Sequence, residues 1–357
     1  MTKIFVLAFG ASVIFTWLAI RLASKLRIFD QPEERKIHKR PVPLLGGVAV
    51  FGAYALALLL NFHFSWALKG VVIASFIIML SGLFDDVKKL PAAARLIVQI
   101  LCSLVVVYCG IRINIIPDDL PFAVTLETLI TVFWIVGITN ALNFMDGIDG
   151  LAAGMSFIVS GTFFIIAYQT GQPYFAFLNI ALAGASLGFL VFNFHPARIF
   201  LGDAGSSFLG FTLASLAAMG EWAEKRPIVA LSIPLLLLAI LIFDMVYITI
   251  SRIARGTVRT FKEWIEYVGR DHLHHRLIGM GFTQVQTVLF IYLVNVIFAL
   301  GALVLMKATT AQAILLLSQG VCFLVIVTVL MVVGKNHLDK SRFYEEQLKE
   351  ARQNNSV

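Results

Sequence analysis

Long apolar runs separated by short polar loops dominate this chain. Eleven stretches are almost wholly apolar, roughly 3–23, 44–61, 70–84, 93–110, 124–142, 151–168, 174–193, 205–219, 228–250, 284–306 and 311–333. A helix needs about 20 such residues to cross hydrocarbon. None of the stretches alternates every second residue, as a membrane β-strand would. The pattern predicts an all-α polytopic integral membrane protein of about 11 transmembrane helices. Residues 1–334 read as a single transmembrane domain and 335–357 as a charged, helical tail. No loop is long enough for a soluble domain, the largest being 251–283.

Composition supports that reading. The chain of 357 residues is 59% hydrophobic and 14% charged, with a mean hydropathy of +0.88. Soluble domains carry about 25% charged residues. A soluble enzyme is excluded, and no nucleic-acid partner is expected. The first run is followed by a basic segment without a small-residue cleavage site, so it is expected to stay as a span. Cys102, Cys109 and Cys322 lie inside apolar runs and read as packing residues without a disulfide framework.

Charge then orients the chain. Only Lys3, Lys69, Arg112, Lys225, Arg226 and Lys307 of the 28 Lys and Arg fall on one side of the alternating spans. Positive residues favour the cytoplasm. The N-terminus is therefore expected outside, and the loops 24–43, 85–92, 143–150, 194–204 and 251–283, with the tail, in the cytoplasm. The opposite loops hold only scattered acids, among them Asp118, Asp119, Glu127, Glu221 and Glu224.

The five cytoplasmic loops hold the polar groups that demand an explanation. A carboxylate at a membrane span is costly and calls for a partner or a task. Asp85-Asp86 is a like-charged pair beside Lys88 and Lys89, which reads either as a cation and phosphate site or as a solvated helix end. Asn140, Asn143, Asp146 and Asp149 recur every third residue, a polar ladder descending from a span. Amide and carboxylate oxygens there suit a hard metal, and turn formation at Gly147 and Gly150 explains part of the pattern.

Asp203 precedes Gly205-Ser206-Ser207, where a helix start would leave backbone N–H groups free for an anion. Its bland counterpart is an Asp cap on a turn. Asp271-His272-Leu273-His274-His275-Arg276 suits a diphosphate better than zinc, since no cysteine lies near. The stretch before it, from Thr260, reads as a short interfacial helix turning at Gly269. Lys36 and His38, ahead of Pro41, Pro43 and Gly46-Gly47, either clamp phosphate or anchor the topology. Asp244 lies inside a span and faces either the site or a neighbouring polar helix.

Taken in order, these residues resemble a known family. Arg35-Lys36-x-His38-x-x-Pro41-x-Pro43-x-x-Gly46-Gly47, Asp85-Asp86, Asn140-x-x-Asn143-Phe-Met-Asp146-Gly-Ile-Asp149-Gly, Phe200-Leu-Gly-Asp203-Ala-Gly-Ser and His272-Leu-His274-His275-Arg276 resemble the polyprenyl-phosphate N-acetylhexosamine-1-phosphate transferases, glycosyltransferase family 4. The His motif is similar to the branch that starts O-antigen, enterobacterial common antigen, teichoic acid or arabinogalactan intermediates. It is less like the phospho-MurNAc-pentapeptide transferases, the enzymatic alternative. The chain departs from the branch before that motif, where a Ser/Pro-rich lead-in tied to sugar recognition is missing.

The resemblance implies a reaction and roles. GlcNAc-1-phosphate would pass from a UDP-N-acetylhexosamine to undecaprenyl phosphate, releasing UMP, at the cytoplasmic face of a bacterial inner membrane. It would be the first membrane step of a cell-envelope glycan pathway. Asp203 would be the leading Mg2+ ligand and Asn143 the second, with Mn2+ an alternative ion. Asp85 or Asp86 would position the lipid phosphate or act as base. Phe200 would stack on uracil, with Asn140, Asp146 and Asp149 on the nucleotide side. His272, His274, His275 and Arg276 would bind the diphosphate or sugar, Lys36 and His38 phosphate. A homodimer is left open. A transporter is the competing class, and would call for midplane charges, broken helices and inverted repeats.

Overall fold

The structure, a computed structural model, describes all residues except 33–39, 61–64, 118, 223–225, 268, 270 and 355–357, and no side chain of Phe261, Glu266 or 334–354. Every apolar stretch of the sequence coincides with helix. In chain order the helices are α1 (Thr2–Leu26), α2 (Gly46–Leu59), α3 (Trp66–Lys88), α4 (Ala92–Tyr108), α5 (Ala123–Met145), α6 (Leu151–Gln169), α7 (Pro173–Asn193), α8 (Gly202–Met219), α9 (Pro227–Leu237), α10 (Ala239–Ala254), α11 (Phe261–Glu266), α12 (Leu273–Gly279), α13 (Gln284–Leu305) and α14 (Thr310–Asn354). Among the described residues seven are long and apolar enough to cross a membrane: α1, α3, α5, α6, α7, α13 and the first part of α14. A bent pair, α9 with α10, makes up to eight, and α2 and α4 are shorter apolar helices. The protein is a multi-pass, mainly helical membrane protein.

Two details differ from the sequence reading. The run 228–250 is not one straight span: α9 and α10 meet at 76°. Pro234, one turn before the break at Leu238, has no N–H to give the helix. The chain is also not wholly helical. Extended residues β1 (Phe29–Asp30) and β2 (Val42–Pro43) pair antiparallel, Phe29 opposite Pro43, and tie the two ends of the first loop together.

α8 is the centre of the bundle. It packs against α2, α3, α5 and α6, and most of its residues from Ala204 to Ala217 are buried. In lipid, small residues let helices approach and polar side chains bridge them. Both devices occur here. A Cβ added to Gly82 of α3 would strike the backbone of Asp203 and Ala204, so only glycine permits this approach. Deeper in the bundle, the Ser75 and Thr212 hydroxyls meet at 3.0 Å, and Trp134 Nε1 donates to the Ala214 carbonyl at 3.1 Å. The start of α8 is thereby held fixed among its neighbours, which matters because Asp203 lies there.

Candidate functional site

All five loops placed together by charge meet at one end of the bundle. The first reaches the fourth through the backbone: Gly46 N–H donates to the Phe200 carbonyl at 3.0 Å and Phe200 N–H to the Pro43 carbonyl at 2.9 Å. The end of α3 reaches α8, where Asp86 accepts from the N–H groups of Asp203 at 2.8 Å and Ala204 at 3.1 Å. The end of α5 reaches the same helix, with Asn143 Nδ2 donating to Asp203 Oδ1 at 2.6 Å and to Ser206 Oγ at 2.8 Å. The fifth loop joins through Phe144, whose ring stacks on His272 with centroids 5.3 Å apart.

Asp86 is thus a cap supplied by another helix. α8 begins at Gly202, earlier than the Gly205-Ser206-Ser207 start expected from sequence. Gly202 has φ +71°, and the Asp86 carboxylate fills the space where its Cβ would be. The expected anion site at this helix start is already occupied by a carboxylate of the protein. That satisfies free N–H groups and the helix dipole together. Asp85 is equally engaged. It is 6% exposed, accepts from Leu90 N–H, and takes Arg95 Nη1 at 2.9 Å. The same Arg95 atom lies 3.8 Å from Asp203 Oδ2.

Arg95 and Gln99, one turn apart on α4, belong to the site and were missed by motif reading. Gln99 Oε1 accepts from Asn140 Nδ2 at 2.7 Å, so Asn140 faces α4. Ile78, Ser81, Gly82, Arg95, Gln99, Asp203 and Ser207 line a pocket between α3, α4 and α8. The sequence signal was an arginine and a glutamine, one turn apart, at the start of an apolar helix.

The two remaining aspartates of the α5–α6 turn part company. Asp149 accepts from Ala197 N–H at 3.0 Å and meets His195 Nδ1 at 2.8 Å, so it anchors the loop before α8. Asp146 is half-buried, its backbone N–H closes the end of α5 on the Leu142 carbonyl at 3.1 Å, and its carboxylate has no hydrogen bond or ion pair among the described residues. Burial, then the charges of Asp203, Asp86 and Asp149, push its carboxyl well above the usual range. Arg95, 3.8 Å from Asp203, is the cation that this cluster already holds on its α4 side.

The His motif forms the other wall. His272 Nδ1 lies 2.6 Å from Asp244 Oδ2. His274 is wholly buried, with neither ring nitrogen hydrogen-bonded, and its Nε2 edge lies against Gly147. Burial, then His275 and His272, hold its pKa well below the usual imidazole range, so the ring stays neutral. His274 therefore packs the motif onto the α5–α6 turn, and in this conformation cannot touch a soluble ligand. The His275 ring lies beside it, tilted by 43°, with centroids 4.1 Å apart. Arg276 Nε donates to the Asp271 carbonyl at 2.6 Å. Burial would lift the Asp271 carboxyl, but the two hydrogen bonds from Arg252 hold it below the usual range. The preceding helix α11 is only six residues long, with Trp264 Nε1 donating to Thr249 Oγ1 at 3.0 Å. Lys36 and His38 lie outside the described residues.

Among the described residues no three His, Cys, Asp or Glu side chains form a ready metal cage. The available donors are the oxygens of Asp203 and Asp146 and the amide oxygen of Asn143, the expected second ligand, whose Nδ2 is turned to Asp203. An all-oxygen set of one or two carboxylates fits a hard divalent ion that takes its other ligands from phosphate and water.

Comparison with known proteins follows the same lines. The profile described as glycosyl transferase family 4 matches residues 68–221. A Bacillus subtilis protein described as a probable undecaprenyl-phosphate N-acetylglucosaminyl 1-phosphate transferase is 33% identical over 353 residues, covering 97% of this chain and 96% of its own. A decaprenyl-phosphate N-acetylglucosaminephosphotransferase of Mycolicibacterium smegmatis is 32% identical, covering 89% of this chain and 85% of its own. An undecaprenyl-phosphate alpha-N-acetylglucosaminyl 1-phosphate transferase of Yersinia pestis is 28% identical, covering 81% and 80%.

Proposed function

The chain belongs to glycosyl transferase family 4, and we propose that it transfers N-acetylglucosamine 1-phosphate to a polyprenyl phosphate, with UDP-GlcNAc as donor and UMP as the product released. The convergence of Asp86, Asn143 and Asp203, from three separate helix ends, carries this reading. We read the helices as eleven crossings with the N-terminus outside, which puts the site on the cytoplasmic face of a bacterial inner membrane, where a nucleotide sugar is available. The acceptor would be undecaprenyl phosphate, and the product the first lipid intermediate of an envelope glycan.

The chemistry brings two anions together. A phosphate oxygen of the lipid attacks the sugar-bearing phosphorus, and the bond from that phosphorus to the UMP oxygen breaks. A phosphate monoester is largely dianionic near neutral pH, so no proton has to be removed first. That agrees with Asp85 and Asp86, whose oxygens already accept hydrogen bonds from protein donors. They position Arg95 and the start of α8 and do not act as bases. Arg95, 37% exposed in the pocket between α3, α4 and α8, is the cation placed for the acceptor phosphate. Mg2+ or Mn2+ held by Asp203 and Asp146 would offset the charge of the donor diphosphate. His272, His275 and Arg276 bind the donor from the other wall.

Reconstituted protein should label undecaprenyl phosphate from UDP-GlcNAc and release UMP in equal amount. UDP-GalNAc and UDP-MurNAc-pentapeptide serve as competing donors. Preference for the pentapeptide would support the peptidoglycan enzyme instead, and no transfer from any UDP-N-acetylhexosamine would remove the proposal. One bent helix pair is present, but among the described residues no second break accompanies it, as a pair of inverted repeats would require.

A further inference from the structure

Asp244 is a buried acid that the reaction above leaves without a role. It sits in α10 and is 1% exposed. Burying a carboxylate at a membrane span requires compensation, and two donors supply it. Asp244 Oδ1 accepts from Leu273 N–H at 2.7 Å, and Oδ2 from His272 Nδ1 at 2.6 Å. His272 is the residue that starts α12, so one carboxylate holds both the backbone and the side chain of the His motif.

The ring is also fixed on its faces. His272 stacks on Phe144 with centroids 5.3 Å apart and 30° between planes, and lies 6.0 Å from His274 at 12°. Phe144 is the neighbour of Asn143, which holds Asp203. A carboxylate accepts and does not donate, so Nδ1 must carry the proton. In a neutral imidazole this leaves Nε2, on the opposite edge, as the unprotonated nitrogen.

We propose that Asp244 is a positioning residue for phosphoryl transfer: it fixes the tautomer and orientation of His272, so that Nε2 is the edge presented to the phosphates of the nucleotide-sugar donor. This rests on the reading that the His motif binds the donor.

The test uses Asp244→Asn in the full-length protein in nanodiscs. The Asn oxygen can still accept from Leu273 N–H, so α12 keeps its anchor. Its amide group, however, donates toward Nδ1 and demands the opposite tautomer. Two readouts are taken. The first is kcat and KM with UDP-GlcNAc and undecaprenyl phosphate varied separately. The second is the 15N spectrum of histidine-labelled protein, with His272 assigned by His272→Gln.

The expected result is a fall of about 10- to 100-fold in kcat/KM for the donor, the scale seen when a partner orienting a histidine is lost. The KM for undecaprenyl phosphate should be unchanged, and the His272 proton should move from Nδ1 to Nε2. Asp244→Glu should restore part of the donor turnover. Wild-type donor kinetics in Asp244→Asn, or an unmoved His272 proton, would overturn the assignment. Should the wild type itself transfer nothing from UDP-GlcNAc, the functional reading falls, and the 15N spectra alone decide the role of Asp244.

Discussion

Asp86 accepts a hydrogen bond from the backbone N–H of Asp203 at 2.8 Å: the first carboxylate meets the second residue's backbone and not its side chain. Asp86 is a cap and Asp203 the proposed metal ligand, although both are aspartates of the same cluster. Their substitutions should therefore differ in kind. Asp86→Ala removes a cap and should lower stability by about 1 kcal/mol, with turnover lost because α8 shifts. Asp203→Asn keeps the backbone bond and the Asn143 contact, and should lose turnover at unchanged melting temperature. Thermal unfolding in detergent beside initial rates separates the two. An Asp86→Ala protein that melts like the wild type would contradict the capping role.

Arg95 Nη1 lies 2.9 Å from Asp85 and 3.8 Å from Asp203. Arg95→Ala should raise the KM for undecaprenyl phosphate roughly tenfold or more, the scale of one charge-assisted hydrogen bond. The KM for UDP-GlcNAc should hold. Arg95→Lys should recover only part of the loss, since an ammonium lacks the fork that spans two oxygens. Steady-state kinetics with each substrate varied in turn checks this.

Asp146 gives a pH dependence with a definite sign. Burial and the neighbouring charges of Asp203, Asp86 and Asp149 raise its carboxyl in the folded protein. The folded state then binds the proton more tightly than the unfolded one. Its contribution to stability is full below the unfolded pKa, about pH 4, and is lost as pH rises through the raised folded value. In chelator at neutral pH, Asp146→Asn should accordingly melt higher than the wild type, and the gap should close toward pH 4. Adding Mg2+ should stabilise the wild type more than the variant. Melting curves across pH, with chelator or Mg2+, measure both effects.

Gly82 tests the packing that fixes the site. A methyl group there would meet the backbone of Asp203 and Ala204, which cannot rotate away. Gly82→Ala should cost about 1–3 kcal/mol, the usual penalty of overpacking, and reduce turnover through Asp203. Calorimetry and rates should fall together.

The sequence showed the helices and the shared face, because both are written locally. Apolar runs mark the helices, and Lys and Arg mark the loops that the structure brings together. Pairings across long separations were hidden. Nothing near Asp149 points to His195 or Ala197, some 46 residues away, and nothing near Asp86 shows that it fills the start of α8. The anion site expected at Gly205 was a sound reading of a helix N-terminus, overturned by a carboxylate 117 residues earlier in the chain. Arg95 and Gln99 were visible but unread, since a lone arginine at a helix start looks like an anchor. The break at Leu238 was masked by an apolar run that continues through it.

The proposed reaction moves a sugar phosphate, not a sugar alone. UDP-GlcNAc labelled with 32P in its β-phosphate, mixed with the reconstituted protein, Mg2+ and undecaprenyl phosphate, reads this directly. The 32P should enter the lipid fraction in step with unlabelled UMP, and Asp203→Asn should abolish both. Label that stays in UDP while sugar enters the lipid, or no label in lipid at all, would contradict it.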